Sequence, residues 1–158
     1  PRFVHAQRER VVAELVPLAD RQRIDLGLAR ADATLVRGDP GALRVLVRNL
    51  VDNAIRYTPG EGRVDVSVSR GDIPAQAGAV LEVTDTGPGI PPEARARVFD
   101  RFYRVSGTAA AGSGIGLAIV KSIAERHGAA IELGSRDDGR GLRVRVTFPE
   151  LPGGLSLV

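Results

Sequence analysis

Cysteine is absent from the 158 residues, which excludes disulfides and thiolate metal sites and fits a reducing compartment. Histidine is nearly absent, and the two that occur, His5 and His127, stand too far apart in sequence to suggest a zinc centre. Aromatic residues are few: two Tyr and four Phe, with no basic run among them, give little for stacking bases, so nucleic acid is not an expected partner. No apolar stretch approaches the roughly 20 residues of a transmembrane helix. The first residues carry no signal-peptide pattern. A soluble globular chain is the expectation.

Hydrophobic residues make up 43% of the chain and charged residues 26%, enough apolar surface for one real core. We expect one domain over residues 1–150 and a short tail over 151–158, where Pro152-Gly153-Gly154 lies beyond the last patterned segment. Formal net charge is +3 and the pI is about 10.1, so acidic partners such as phosphates suit it.

Val11, Val12, Leu15, Val16 and Leu18 recur at near-helical spacing, which predicts a first helix from about Arg8 to Gln22 with Pro17 kinking or ending it. Ile24, Leu26 and Leu28 alternate, and Thr34-Leu35-Val36 is a second short β-prone run. Asp39-Pro40 is an N-cap followed by a proline at the first helical position. The helix it opens runs to about Tyr57, where Pro59-Gly60-Glu61-Gly62 stops it. Val64, Val66 and Val68 alternate with polar residues, and Val80 to Thr84 follows as a second clear strand. A long Gly- and Pro-rich stretch, Asp85 to Ala111, is too long for an ordinary connection and is a candidate lid. A helix with Ile115, Ala118, Ile119, Ser122 and Ile123 then ends near Gly128, and strands Ala130 to Leu133 and Leu142 to Phe148 flank Asp137-Asp138-Gly139. This order predicts an α+β, two-layer α/β sandwich, with a mixed β-sheet of about five strands on about three helices.

Four local patterns bear on chemistry. Asn49 and Asn53 lie four apart on one edge of the apolar stripe Leu43, Leu46, Val47, Leu50, Val51 and Ala54. Amides bordering a core need partners, at a cost of about 1–3 kcal/mol if they find none. Asp85-Thr86-Gly87-Pro88-Gly89-Ile90 follows a strand. An ordinary tight turn accounts for it; an Asp there could also accept a hydrogen bond from an exocyclic amine, with the glycines admitting a flat ligand. Gly112-Ser113-Gly114-Ile115-Gly116-Leu117 opens a helix directly, which suits phosphate better than it suits a linker. It is not a Walker A loop, because Val120 precedes Lys121, and not a dinucleotide fingerprint, because Leu117 takes the last glycine's place. Finally, Phe99, Phe102 and Tyr103 punctuate a segment whose plain reading is aromatic anchoring, while Arg101 and Arg104 could close over phosphate as bidentate donors.

Taken in order, these patterns resemble the ATP-binding domain of bacterial sensor histidine kinases, the Bergerat-fold group that includes gyrase and MutL. The resemblance runs from about Arg8 to Phe148. It makes Asn49 to Thr58 the N box, in which Asn49 and Asn53 would meet Mg²⁺ and phosphate oxygens and Arg56 and Tyr57 would touch phosphate and nucleotide. It makes Asp85 to Gly89 the G1 box, with Asp85 at the adenine amine and Gly87, Gly89 and Ile90 beside the nucleotide. It also makes Phe99 to Tyr103 the F box, with Phe102 near the nucleotide and Arg104 facing phosphate as a catalytic group. The G2 box would be Gly112, Ser113, Gly114, Ile115, Gly116 and Leu117, at the end of a mobile ATP lid that includes Ser106 to Ala111.

The implied cofactors are ATP and Mg²⁺, and amide and phosphate oxygens suffice for this cation without a carboxylate cage. Hydrolytic relatives carry glutamate where this chain has Asn49, which cannot serve as a base, so phosphoryl transfer is favoured over hydrolysis. Neither His5 nor His127 sits in a His-Glu-x-x-x-Pro box, and both read as structural or surface residues. The phosphoacceptor histidine is therefore expected on a separate dimerisation domain, with a response regulator downstream. The resemblance implies a cytoplasmic domain of an inner-membrane sensor kinase, monomeric alone and homodimeric at full length. An anti-sigma-type serine kinase, or a non-catalytic nucleotide-sensing module, shares the same boxes.

Overall fold

In a computed structural model, residues 2–31, 34–71, 78–100 and 116–150 are described. The chain runs β1 (Arg2–Phe3), α1 (Val4–Arg21), β2 (Asp25–Ala31), β3 (Leu35–Val36), α2 (Pro40–Tyr57), β4 (Arg63–Arg70), β5 (Ala79–Asp85), a 3-10 turn (Pro92–Ala94), α3 (Gly116–Arg126), β6 (Ala130–Gly134) and β7 (Leu142–Thr147). Five strands form one sheet in the order β2-β4-β5-β7-β6. Among the described strands of this sheet only β2 and β4 are parallel, and the other pairs are antiparallel. This is the mixed five-stranded sheet on three helices that the pattern predicts.

The alternation of β4, β5 and β7 sorts each strand into an apolar and a polar face. Val64, Val66 and Val68, then Ala79, Leu81 and Val83, then Leu142, Val144 and Val146 are buried, and Ser67, Glu82 and Arg145 lie on the other face. Arg145 and Glu82 stand directly opposite and pair at 2.9 Å. The helices cover the apolar face, with α2 between α1 and α3 and resting on β4 and β5. Its buried stripe is Leu43, Leu46, Val47, Leu50, Val51, Ala54 and Ile55.

Two expectations change. The first helix starts earlier than the pattern predicts, at Val4, and passes through Pro17 to Arg21, next to the predicted end. Proline removes one N–H and so frees the carbonyl of Ala13, but both residues are exposed and water can take that acceptor. Leu15 and Ala19 stay buried on either side of it and hold the last turn down. Secondly, the Leu35-Val36 run does not join the main sheet but pairs with β1, an unexpected strand, in a separate two-stranded ribbon. The tail at 151–158 and the expected lid segment Ser106 to Ala111 lie outside the described residues.

Candidate nucleotide site

Asp85 is the fourth inward position of β5, after Ala79, Leu81 and Val83, and it is 5% exposed. A carboxylate at the end of an apolar row must be held by donors. Its Oδ1 accepts the N–H of Gly87 at 2.9 Å, in the turn that follows. The same oxygen accepts the N–H of Leu142 at 3.3 Å, from the start of β7. Neither bond uses Oδ2. Burial pushes the Asp85 carboxyl above the ordinary aspartate value; the N–H groups of Gly87 and Leu142 and the charge of Arg136 oppose that rise without cancelling it.

The turn after Asp85 is wedged between two backbones, and glycine is what fits there. A Cβ on Gly87 would stand 2.7 Å from the carbonyl oxygen of Tyr57, so the turn presses on the last residue of α2. Gly89 has φ +76°, and a Cβ there would stand 2.8 Å from the carbonyl oxygen of Gly141. Gly141 in turn has φ +67°, with a Cβ position 2.0 Å from the carbonyl oxygen of Asp85. The β6–β7 hairpin thus forms a wall of the Asp85 site. Arg95 ties that wall to the following loop, donating to the carbonyl of Ile90 at 3.1 Å and to Ser135 Oγ at 3.4 Å.

Along α2, Asn49, Asn53, Arg56 and Tyr57 are all half-buried. From Asn49 to Tyr57 the helix rises about 12 Å. Asn49 Nδ2 donates to the carbonyl of Val45 at 2.8 Å, which orients the amide and leaves Oδ1 as an acceptor. That oxygen faces the start of α3: a Cβ on Gly116 would stand 3.2 Å from it. Arg56 Nε donates to both oxygens of Asp52, at 3.0 and 3.2 Å. One edge therefore runs from Gly116, past Asn49 and Asn53, to Tyr57 and the Gly87 turn.

The structure thus brings Asn49, Asn53, Arg56, Tyr57, Asp85, Gly87, Gly89 and Gly116 along one helix edge and the turn at its end. Ile90 follows the turn, half-buried and packed on the core, and Leu117 is buried in the first turn of α3. Phe102, Arg104, Gly112, Ser113, Gly114 and Ile115 lie outside the described residues. Of the aromatic segment, Val98 is buried and Phe99 packs against the core. His127 is structural: it bonds Asp39 and the carbonyl of Ile123. Among the described residues no group of three or more His, Cys, Asp or Glu side chains could hold a metal, and no helix is long and apolar enough to cross a membrane.

Sequence reasoning missed Gly141, the Leu142 N–H and Arg136. Gly139-Arg140-Gly141 carried a signal: two glycines follow Asp138, one more than a tight turn needs.

Residues 38–152 match the model of the histidine kinase-, DNA gyrase B- and HSP90-like ATPases. This chain belongs to that family. Within it, the ATPase domain is similar to sensor histidine kinases. It is 35% identical over 147 residues to swarming motility regulation sensor protein RssA of Serratia marcescens, covering 93% of this chain and 31% of that protein. It is 40% identical over 138 residues to sensor protein QseC of Escherichia coli, covering 87% of this chain and 29% of that protein. The chain therefore spans under a third of the length of these curated relatives. Among solved structures, the mycobacterial sensor histidine kinase MprB superposes with a TM-score of 0.78 at 32% identity, over 94% of this chain and 95% of that one. The relatives are sensor kinases, which favours the histidine kinase reading over the serine kinase one.

Proposed function

We propose that this ATPase domain binds Mg·ATP along the α2 edge and donates the γ-phosphate to a histidine on a separate dimerisation domain. The observation that carries the reading is Asp85: a buried carboxylate at a strand end, with one oxygen engaged by two backbone N–H groups and the other left for a donor such as the adenine amine. Gly87, Gly89 and Ile90 would lie beside the base, and Tyr57 beyond them on the helix.

Asn49 and Asn53 would hold Mg²⁺ and phosphate oxygens. The oriented Oδ1 of Asn49 fits a hard cation that takes its other ligands from phosphate and water. When bound, the cation neutralises charge on the phosphates. Arg56 would reach phosphate by exchanging its Asp52 partner, and Phe102, Arg104 and the Gly112 to Leu117 segment would complete the triphosphate end. An amide at position 49 supplies no base for water, so the pocket favours transfer over hydrolysis. In the whole protein we place this domain on the cytoplasmic side of an inner-membrane sensor kinase, homodimeric through its phosphoacceptor helices and signalling to a response regulator.

Two measurements test this. Calorimetric titration with ATP should give binding that strengthens when Mg²⁺ is added; absence of binding refutes the reading. Incubation with labelled ATP and a histidine-bearing helical hairpin should give an acid-labile product. An acid-stable product identifies a hydroxyl acceptor instead.

A further inference from the structure

Helices α2 and α3 pack through apolar residues, Val120, Ile123 and Ala124 on the α3 side being buried. Interlocked apolar side chains set the coarse register of two helices, and contacts at the helix ends refine it. Helix α3 makes a close approach to α2 at its start and a hydrogen bond to it just past its end. At its start a Cβ on Gly116 would stand 3.2 Å from Asn49 Oδ1, so only glycine leaves that oxygen clear. Just past its end His127 meets Asp39, the N-cap of α2.

The His127 contact allows one ring state. The Asp39 N–H can only donate, so Nε2, 3.3 Å away, is the acceptor. The carbonyl of Ile123 can only accept, so Nδ1, at 2.7 Å, carries the hydrogen. The Cδ2–Nε2 edge of the ring also points at Gly38, where a Cβ would stand 2.3 Å from Cδ2 and 2.4 Å from Nε2. In a capping box the N-cap N–H is satisfied by Glu or Gln at the third helical position. Here that position is Ala42, and the acceptor comes from another helix. Asp39 is exposed, so water can replace the acceptor and little stability is at stake. What the bond supplies is register.

We infer that His127 is a positioning residue for the nucleotide: it fixes α3 along α2 and so sets where Gly116 stands beside Asn49, about 16 Å away along the helix. This rests on the Mg·ATP reading of the Asn49 edge. The Gly116 approach and the His127 bond bracket α3, so loosening the second lets the first move.

The test uses the 158-residue chain with His127→Phe, which keeps a ring on Gly38 but offers no acceptor, and His127→Gln, which restores an acceptor oxygen. Amide NMR of the Phe variant should show shifts at the Gly116 backbone and at the Asn49 side-chain amide, and the Gln variant should stay near wild type. Mg·ATP affinity should fall about two- to fivefold in the Phe variant, the lower range of one net hydrogen bond, with adenosine affinity unchanged. Gly38→Ala, which drives a methyl into the ring, should reproduce the shifts if the Phe variant does not fold. Shifts confined to residues 37–41 and 123–128 overturn the proposal. So does a Gln variant as disturbed as the Phe variant, or an equal loss of adenosine and Mg·ATP. If wild type binds no nucleotide, the Mg·ATP reading fails, and the NMR shifts alone decide the register claim.

Discussion

Replacing Asp85 by Asn should weaken ATP binding while making the empty domain more stable. In the native protein Oδ1 accepts two backbone N–H groups, from Gly87 and Leu142. The amide oxygen of the variant must stay there, because its NH₂ cannot face two donors, and this turns the NH₂ toward the ligand. A donor then meets the donor of the exocyclic amine. Losing a hydrogen bond to a charged group costs about 1.5–3 kcal/mol, which is about 10- to 150-fold in affinity. Stability moves the other way, because burial disfavours the charge that the substitution removes. The assay is paired: calorimetric affinity for ATP and thermal unfolding of the unliganded protein, wild type against variant, at pH 7. Unchanged affinity refutes the placement of Oδ2 at the base. A lower melting temperature refutes the conclusion that burial outweighs the two N–H groups.

Asp85 also predicts two pH dependences. Because its folded pKa is raised, its contribution to stability is fully present below the ordinary carboxylate pKa and is lost as pH rises through the raised folded value; urea titrations across that window should show the slope, and Asp85→Asn should remove it. ATP affinity should fall as pH drops through the same raised value, since the proton goes to Oδ2 and makes it a donor; calorimetry in matched buffers reads this. Asn49→Ala should cost about tenfold in affinity with Mg²⁺ and little in EDTA, a difference measured by titrating each. Gly139→Ala, with φ +78° and open space around it, should cost about 1–2 kcal/mol in urea unfolding. Gly141→Ala adds to a similar φ a Cβ position 2.0 Å from backbone, so it should cost more than Gly139→Ala and also weaken ATP binding; equal costs would remove the hairpin from the site.

Much of the frame was legible because it is local. The Asp39-Pro40 cap and the Pro59 stop marked both ends of α2, and the structure has the helix at Pro40–Tyr57. The alternation of Val64, Val66 and Val68 identified β4 and its inward face. What escaped depends on distant partners. Arg2–Phe3 is too short to carry a period and is a strand only because Leu35–Val36 lies beside it. Pro17 admits a kink or a stop, and burial of the residues around it carries the helix on to Arg21. His127 looked idle until α3 folded back to the N-cap of α2.

The sequence by itself determined the order of the boxes, the shared edge of Asn49 and Asn53, and the amide in place of a base at position 49. These follow from residue identity and from a helical period that reaches only four positions along the chain. Tertiary structure alone decided the state of Asp85. Its burial comes from helices packed over the sheet, and one of its two donors, Leu142, lies 57 residues away. A carboxylate's charge depends on everything within a few ångströms of it, and no local pattern records what a distant hairpin will bring there.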